Sequence, residues 1–186
     1  MLKSVAGRQV PLNPLRLPSL PIRSRRVGLR TMPSIGAKVP CPSGEQITNG
    51  GFETGDLTGW TGDFSVVDYL PYEGTYHARA TVTGKTISQT FPKTIPYACF
   101  VATSVFRIYI QGGWSPSPTL NDGADIYIVY TDNSETHVHY EVTAGFTWQE
   151  VNLKPYLEAG KTVKGIRVES YVVKNCCDVD ACSCSI

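Results

Sequence analysis

No run of apolar residues in this chain approaches the roughly 20 that a membrane span needs, and none is long enough for the core of a secretory signal peptide. No stretch carries a convincing 3.6-residue apolar period, so long amphipathic helices are not expected. The nucleophile elbow Gly-x-Ser-x-Gly, the zinc-protease pattern His-Glu-x-x-His and phosphate-cradling glycine loops are missing, and only three histidines are available for acid–base or metal chemistry. Residues 1–40 contain no acid at all. These gaps set aside a spanning chain, a Sec-type leader, a helical bundle and the commoner hydrolase and nucleotide-binding chemistries.

What is present suits one ordinary domain with an extension: 186 residues, 41% hydrophobic and 18% charged. The net charge of +1 conceals two opposed blocks. Residues 1–40 hold eight of the 17 basic residues, among them Arg16, Arg23, Arg25, Arg26 and Arg30, which leaves nine basic against all 16 acidic residues in 41–186, or −7. Six prolines in the same 40 residues prevent more than a turn or two of helix, so an extended basic arm is expected, about 120 Å at full stretch. An acid-free, Arg-rich start is also the composition of an organelle transit peptide, but this proline spacing disrupts the amphipathic helix such peptides use. An arm of this kind meets acidic surfaces: nucleic acid, anionic lipid, or the acidic body of a neighbouring subunit. Base stacking calls for aromatics interleaved with the arginines, and the arm lacks them.

After Cys41-Pro42-Ser43-Gly44 the composition changes, and 41–186 reads as an all-β body. Strands are expected over 64–68, 76–82, 86–91, 99–111, 125–131, 136–143, 147–153, 165–173 and 181–186, punctuated by glycine and Asp/Asn turns. The two-residue period assigns their faces. Phe106, Ile108 and Ile110 oppose Arg107, Tyr109 and Gln111. Ile126, Ile128 and Tyr130 oppose Tyr127 and Val129, Val138, Tyr140 and Val142 oppose His137, His139 and Glu141, and Ile166, Val168 and Val172 oppose Arg167, Glu169 and Tyr171. Alternation this clean implies two antiparallel sheets packed as a sandwich, each with one wet face. Arg107, Tyr109, Gln111, Tyr127, His137 and His139 are then expected on a wet face, with Trp114 in a loop beside it. Flat rings and planar polar groups in that arrangement are what a sugar needs, although exposed Tyr and His also follow from β-propensity alone.

The stretch ITNGGFETGDLTGWTG, residues 47–62, spaces Phe52 and Trp60 by turn chemistry so that both rings can enter one core. Through Asn49, Gly51, Phe52, Glu53, Gly55 and Trp60 it resembles the opening of carbohydrate-binding modules of the galactose-binding-like jelly-roll superfamily. Ile87-Ser88-Gln89-Thr90-Phe91 and Thr147-Trp148-Gln149 extend the resemblance, which covers about 45–186. The resemblance implies a jelly-roll β-sandwich, and glycan binding on an open sheet face. It also implies a structural Ca²⁺ between Glu53 and Asp180, although Val179-Asp180-Ala181-Cys182 lacks the second aspartate of the usual closing strand. His137, His139 and Glu141 on one side of one strand resemble the facial metal triad of metal-dependent jelly-roll enzymes, but only in part: the glutamate there stands further along and the second histidine comes from a distant strand.

Cys41, Cys99, Cys176, Cys177, Cys182 and Cys184 allow fifteen pairings. Because first and last strands are neighbours in the fold implied by the resemblance, a bridge from Cys41 to one of the four C-terminal cysteines is expected, with Cys99 left as a buried thiol. A zinc site from Cys176, Cys177, Cys182 and Cys184 departs from the usual Cys-x-x-Cys knuckles. Disulfides point to an extracellular, particle-surface or thermophile setting.

Taken together, the sequence reads as a non-enzymatic structural or adhesive subunit of a surface assembly, such as a virion decoration, minor capsid or tail protein, with no resident cofactor beyond the Ca²⁺ and anchored to other protein subunits by its arm. The alternative is a carbohydrate-binding module.

Overall fold

The computed structural model of the chain describes residues 40–113 and 121–186. The expected arm with its arginines, and Trp114, lie outside the described residues.

Among the described residues ten strands follow one another: β1 (Thr61–Gly62), β2 (Ser65–Val67), β3 (His77–Ala80), β4 (Thr86–Pro96), β5 (Val105–Gly112), β6 (Gly123–Tyr130), β7 (Glu135–Glu141), β8 (Gln149–Asn152), β9 (Thr162–Tyr171) and β10 (Cys177–Ser185). The helical content of the described residues is two short 3-10 turns, Tyr97–Cys99 and Lys154–Tyr156. The strands form two antiparallel five-stranded sheets, ordered β1-β4-β9-β6-β7 and β2-β3-β10-β5-β8. This is the all-β jelly-roll sandwich expected from the alternation and the opening motif.

The alternation holds residue by residue on the inner faces. Ile108, Ile110, Ile126, Ile128, Ile166 and Val168 fill the space between the sheets with Phe52, Phe106 and Tyr130. Each such side chain removed from water contributes about 1.5–3 kcal/mol.

Residues 47–60 form a corner, as their turn chemistry implied, and the short β1 follows it. Asn49 and Phe52 have φ of 50° and 57°, which no extended strand accommodates. The Asn49 amide donates to Thr54 Oγ1 and to the Asp56 and Thr58 carbonyls, while Trp60 Nε1 donates to the Asn49 carbonyl. Phe52 and Trp60 do enter one core, their centroids 5.5 Å apart. The corner docks where β10 bulges between Asp180 and Ser183: the Cys182 N–H donates to the Gly50 carbonyl, and a Cβ on Gly50 would collide with the Cys182 carbonyl.

Two expectations need correction. Residues 99–104, expected within the strand over 99–111, are not strand. Cys99 ends a 3-10 turn and is disulfide-bonded to Cys41, with Cα atoms 5.5 Å apart. Second, the expected bridge from Cys41 to the C-terminal cysteines is not formed, and Cys176, Cys177, Cys182 and Cys184 are free and buried. The reason is strand facing. Cys177, Cys182 and Cys184 belong to the apolar core beside Val179, where a thiol serves as a small hydrophobic group, and Cys176 Sγ donates to Asp178.

Candidate functional site

β5 and β6 are consecutive in sequence but belong to different sheets. The expected wet face is therefore divided: Arg107, Tyr109 and Gln111 stand on the outer side of the β2-β3-β10-β5-β8 sheet, and Tyr127, His137 and His139 on the outer side of the other. A two-residue period says which side of a strand a residue takes, and says nothing about which sheet the strand joins. Asp122, read from sequence only as part of a turn, holds this junction. Its buried carboxylate accepts from the backbone N–H groups of Gly113, Val173, Lys174, Asn175 and Cys176.

On the β1-β4-β9-β6-β7 sheet, Tyr127 lies between its register partners Arg167 on β9 and His137 on β7. The Arg167 guanidinium stands 3.6 Å from the ring centroid, and the His137 imidazole stacks at 4.8 Å with 12° between planes. Both ring faces are covered, so Tyr127 has none to offer a pyranose. The row continues sideways, with Glu135 bonded to Arg167, and Asp125 Oδ1 2.7 Å from both His137 Nε2 and His139 Nδ1. Burial pushes the Asp125 carboxyl up, but the two histidines outweigh it and hold the group below its usual range. The Asp125 carboxylate in turn raises His139.

The outer side of the β2-β3-β10-β5-β8 sheet is only partly wet. Residues 68–76 form a roof over Tyr109, which is buried beneath Tyr72, and Gln111 is buried as well. The roof is tied down by two carboxylates. Asp180 accepts from the N–H groups of Tyr72 and Glu73, and Glu53 from those of Thr75 and Tyr76. Gly74 has φ +69°, and a Cβ there would collide with the Glu53 carboxylate. Burial pushes the Asp180 carboxyl up to about 6 despite its amide partners.

Glu53 and Asp180 are the pair for which the resemblance implied a Ca²⁺, and both accept from backbone N–H groups of the roof. The donor set does not fit Ca²⁺, however: the groups aimed at both carboxylates are N–H groups, the positive ends of peptide dipoles, where that ion requires six to eight oxygens.

The roof carries the exposed rings. Tyr72 stacks on Tyr109 at 3.8 Å and 17°, and the residue remains 42% exposed. Trp148, half-buried at the start of β8, donates its indole N–H to the Leu70 carbonyl and stands 6.3 Å from Tyr72, edge on. Tyr69 is 60% exposed, with the Arg79 guanidinium 5.6 Å from its centroid.

Polar groups surround these rings. Arg79 makes a bidentate pair with buried Asp178 at 2.7 and 2.8 Å. Glu150 Oε2 accepts from Tyr109 Oη and from Arg107. Buried His77 lies edge to face with Trp148 at 5.4 Å, with its Nε2 3.5 Å from the buried Asp178 carboxylate.

No protein-family model and no curated protein sequence matches this chain. Among solved structures it is similar to the module TmCBM61 in complex with β-1,4-galactotriose, at 18% identity and a TM-score of 0.45 over 74% of this chain and 95% of that one. It is similar to the CBM22-1 xylan-binding domain of Xyn10C from Paenibacillus barcinonensis, at 15% identity and a TM-score of 0.43 over 78% of this chain and 97% of that one. A third similar structure is the enzymatically active domain of tailspike protein 4 of bacteriophage CBA120, at 11% identity and a TM-score of 0.43 over 76% of this chain and 21% of that one.

Of the residues singled out in the sequence, Arg107 lies beside the aromatic surface, Tyr109 is buried beneath Tyr72, and Gln111 is buried further along the same strand. Tyr127, His137 and His139 face away from that surface on the other sheet. Tyr69 and Tyr72 were missed. Their signal was available in Tyr69-Leu70-Pro71-Tyr72-Glu73-Gly74: three large apolar side chains in a Pro/Gly loop, a place where polar residues are usual.

Proposed function

We propose that this chain is a glycan-binding module that holds a saccharide on the surface formed by Tyr69, Tyr72 and Trp148 above the β2-β3-β10-β5-β8 sheet. One observation carries the reading. Tyr72 is held flat on Tyr109 while its own outer surface stays exposed, so a rigid ring is presented to solvent at no further ordering cost. Pyranose C–H faces stack on such rings. Arg79, Arg107 and Glu150 supply planar charged groups at the rim for hydroxyls. The role is binding and not turnover, and the Cys41–Cys99 disulfide supports an extracellular or particle-surface setting.

Glycan-array screening followed by isothermal titration tests this. Binding is expected to fall at least about tenfold, or 1.4 kcal/mol, in Tyr72→Ala and in Trp148→Ala, and to be unchanged in Tyr127→Ala. Absence of any saccharide signal at millimolar concentration, or loss of binding in Tyr127→Ala alone, overturns the proposal.

The opposed charges of residues 1–40 and 41–186 favour a second reading that is compatible with the first. In it the arm anchors the body to other subunits of a surface assembly, a virion included.

A further inference from the structure

We propose that Asp125, His137 and His139 form a binding site for a divalent transition metal of the zinc class, on the open face of the β1-β4-β9-β6-β7 sheet and independent of the glycan surface on the other sheet. Cross-strand register places the three side chains together: Asp125 on β6 is the partner of His139 on β7, and Tyr127 that of His137. One donor atom from each lies within 4.8 Å of the others, and both imidazole nitrogens stand 2.7 Å from the same carboxylate oxygen. In a tetrahedral site with bonds of about 2.0–2.1 Å, donor atoms lie about 3.3 Å apart. Admitting the ion asks each 2.7 Å carboxylate–imidazole contact to lengthen by about 0.6 Å and the two imidazole nitrogens, which lie within 4.8 Å of each other, to close by up to about 1.5 Å, both through side-chain rotation.

The orientation of each ligand is already fixed by something else. His137 is stacked on Tyr127, which Arg167 backs from the far side. His139 packs edge-on to Tyr171 at 5.4 Å, and its second nitrogen lies 3.3 Å from Glu141 Oε1. A carboxylate on the distal nitrogen of a ligating histidine sets the ring's tautomer and raises its basicity, the arrangement that accompanies metal-bound imidazole. Two imidazoles and one carboxylate select zinc, copper, nickel or cobalt over calcium and magnesium, which take oxygen. Three protein ligands leave a coordination position open to water or to a donor from another molecule. The part that sequence alone suggested for Glu141, as a direct ligand, belongs instead to Asp125.

The competing account is that the carboxylate simply accepts a hydrogen bond from each histidine. Full-length protein titrated near neutral pH with Zn²⁺ by calorimetry, and with Co²⁺ by visible absorption, separates the two. Expected are one ion per chain, a cobalt d–d spectrum without a thiolate charge-transfer band, and affinity at least tenfold weaker in His137→Gln, His139→Gln and Asp125→Asn. Glu141→Gln, which removes only the orienting carboxylate, should weaken binding by about tenfold. In the unaltered protein, Co²⁺ should shift the NMR signals of the His137 and His139 rings far more than those of His77, a readout that does not depend on any variant folding. The proposal is overturned if neither metal binds at millimolar concentration, if the histidine substitutions leave affinity unchanged, or if a thiolate band places the ion on the cysteines.

Discussion

At the scale of single residues, titratable groups acquire their character from the sheet position that encloses them. Cys177 and Cys182 sit among apolar side chains, and burial holds both thiols well above their usual range, while Cys176 is pushed up to about 12. Two outcomes follow. Iodoacetamide should leave the native protein essentially unlabelled, and unfolding in guanidinium without reductant should expose four reactive thiols, because Cys41 and Cys99 are bonded to each other. Peptide mapping without reduction should find Cys41 joined to Cys99, because a bridge from Cys41 to a C-terminal cysteine would leave the same count of four; recovery of Cys41 joined to Cys176, Cys177, Cys182 or Cys184 would return that bridge. Asp180 gives a pH signature of definite sign. Its folded value of about 6 lies above the ordinary 3.8, so the folded state takes up its proton first and this group's contribution to stability grows as pH falls from above 6 towards 4. Asp178 acts in the opposite sense. Burial raises it, but Arg79 and His77 lower it further, so its stabilisation is present above about pH 4 and lost in acid. Carboxyl-detected NMR should find Asp180 titrating near 6. A midpoint near 4 would mean that its amide partners outweigh burial.

At the scale of elements, single carboxylates tie together segments that have no strand pairing of their own. Asp122 joins the end of β5 to the connection between β9 and β10 through five backbone N–H groups. Asp122→Ala leaves those amides unpaired in a buried place and should cost about 3–5 kcal/mol in urea unfolding, far more than an exposed Asp→Ala change. A cost below about 1 kcal/mol would show that water replaces the carboxylate. The roof over β5 follows the same logic through Asp180 and Glu53, and it buries Tyr109, on a face that alternation marks as wet, beneath Tyr72. Alternation was legible because it depends on neighbouring residues. The roof was not, because Tyr72 is brought onto Tyr109, on the outer side of the β2-β3-β10-β5-β8 sheet, by a bond from its backbone N–H to an aspartate 108 residues away.

At the scale of the whole chain, the charge division at residue 40 and the disulfide at Cys41 fall next to each other. Removing residues 1–40 should leave a folded body with an unchanged thermal midpoint and undiminished glycan binding, while joining of other subunits is lost. If the truncated body assembles normally, the anchoring role of the arm fails. Closing a loop across 58 residues, the disulfide should contribute about 2–4 kcal/mol, seen as a lower midpoint on reduction.

The sequence by itself determined the all-β class, nine of the ten strands, the inner faces, and the shared burial of Phe52 and Trp60. Each of these follows from local periodicity or turn chemistry, which a chain carries wherever it folds. Tertiary structure alone decided which sheet receives each strand, which cysteine Cys41 meets, and which aromatics keep a free face. Those outcomes depend on contacts between residues far apart in sequence: Cys41 with Cys99, Tyr72 with Tyr109, and Tyr127 enclosed between Arg167 and His137.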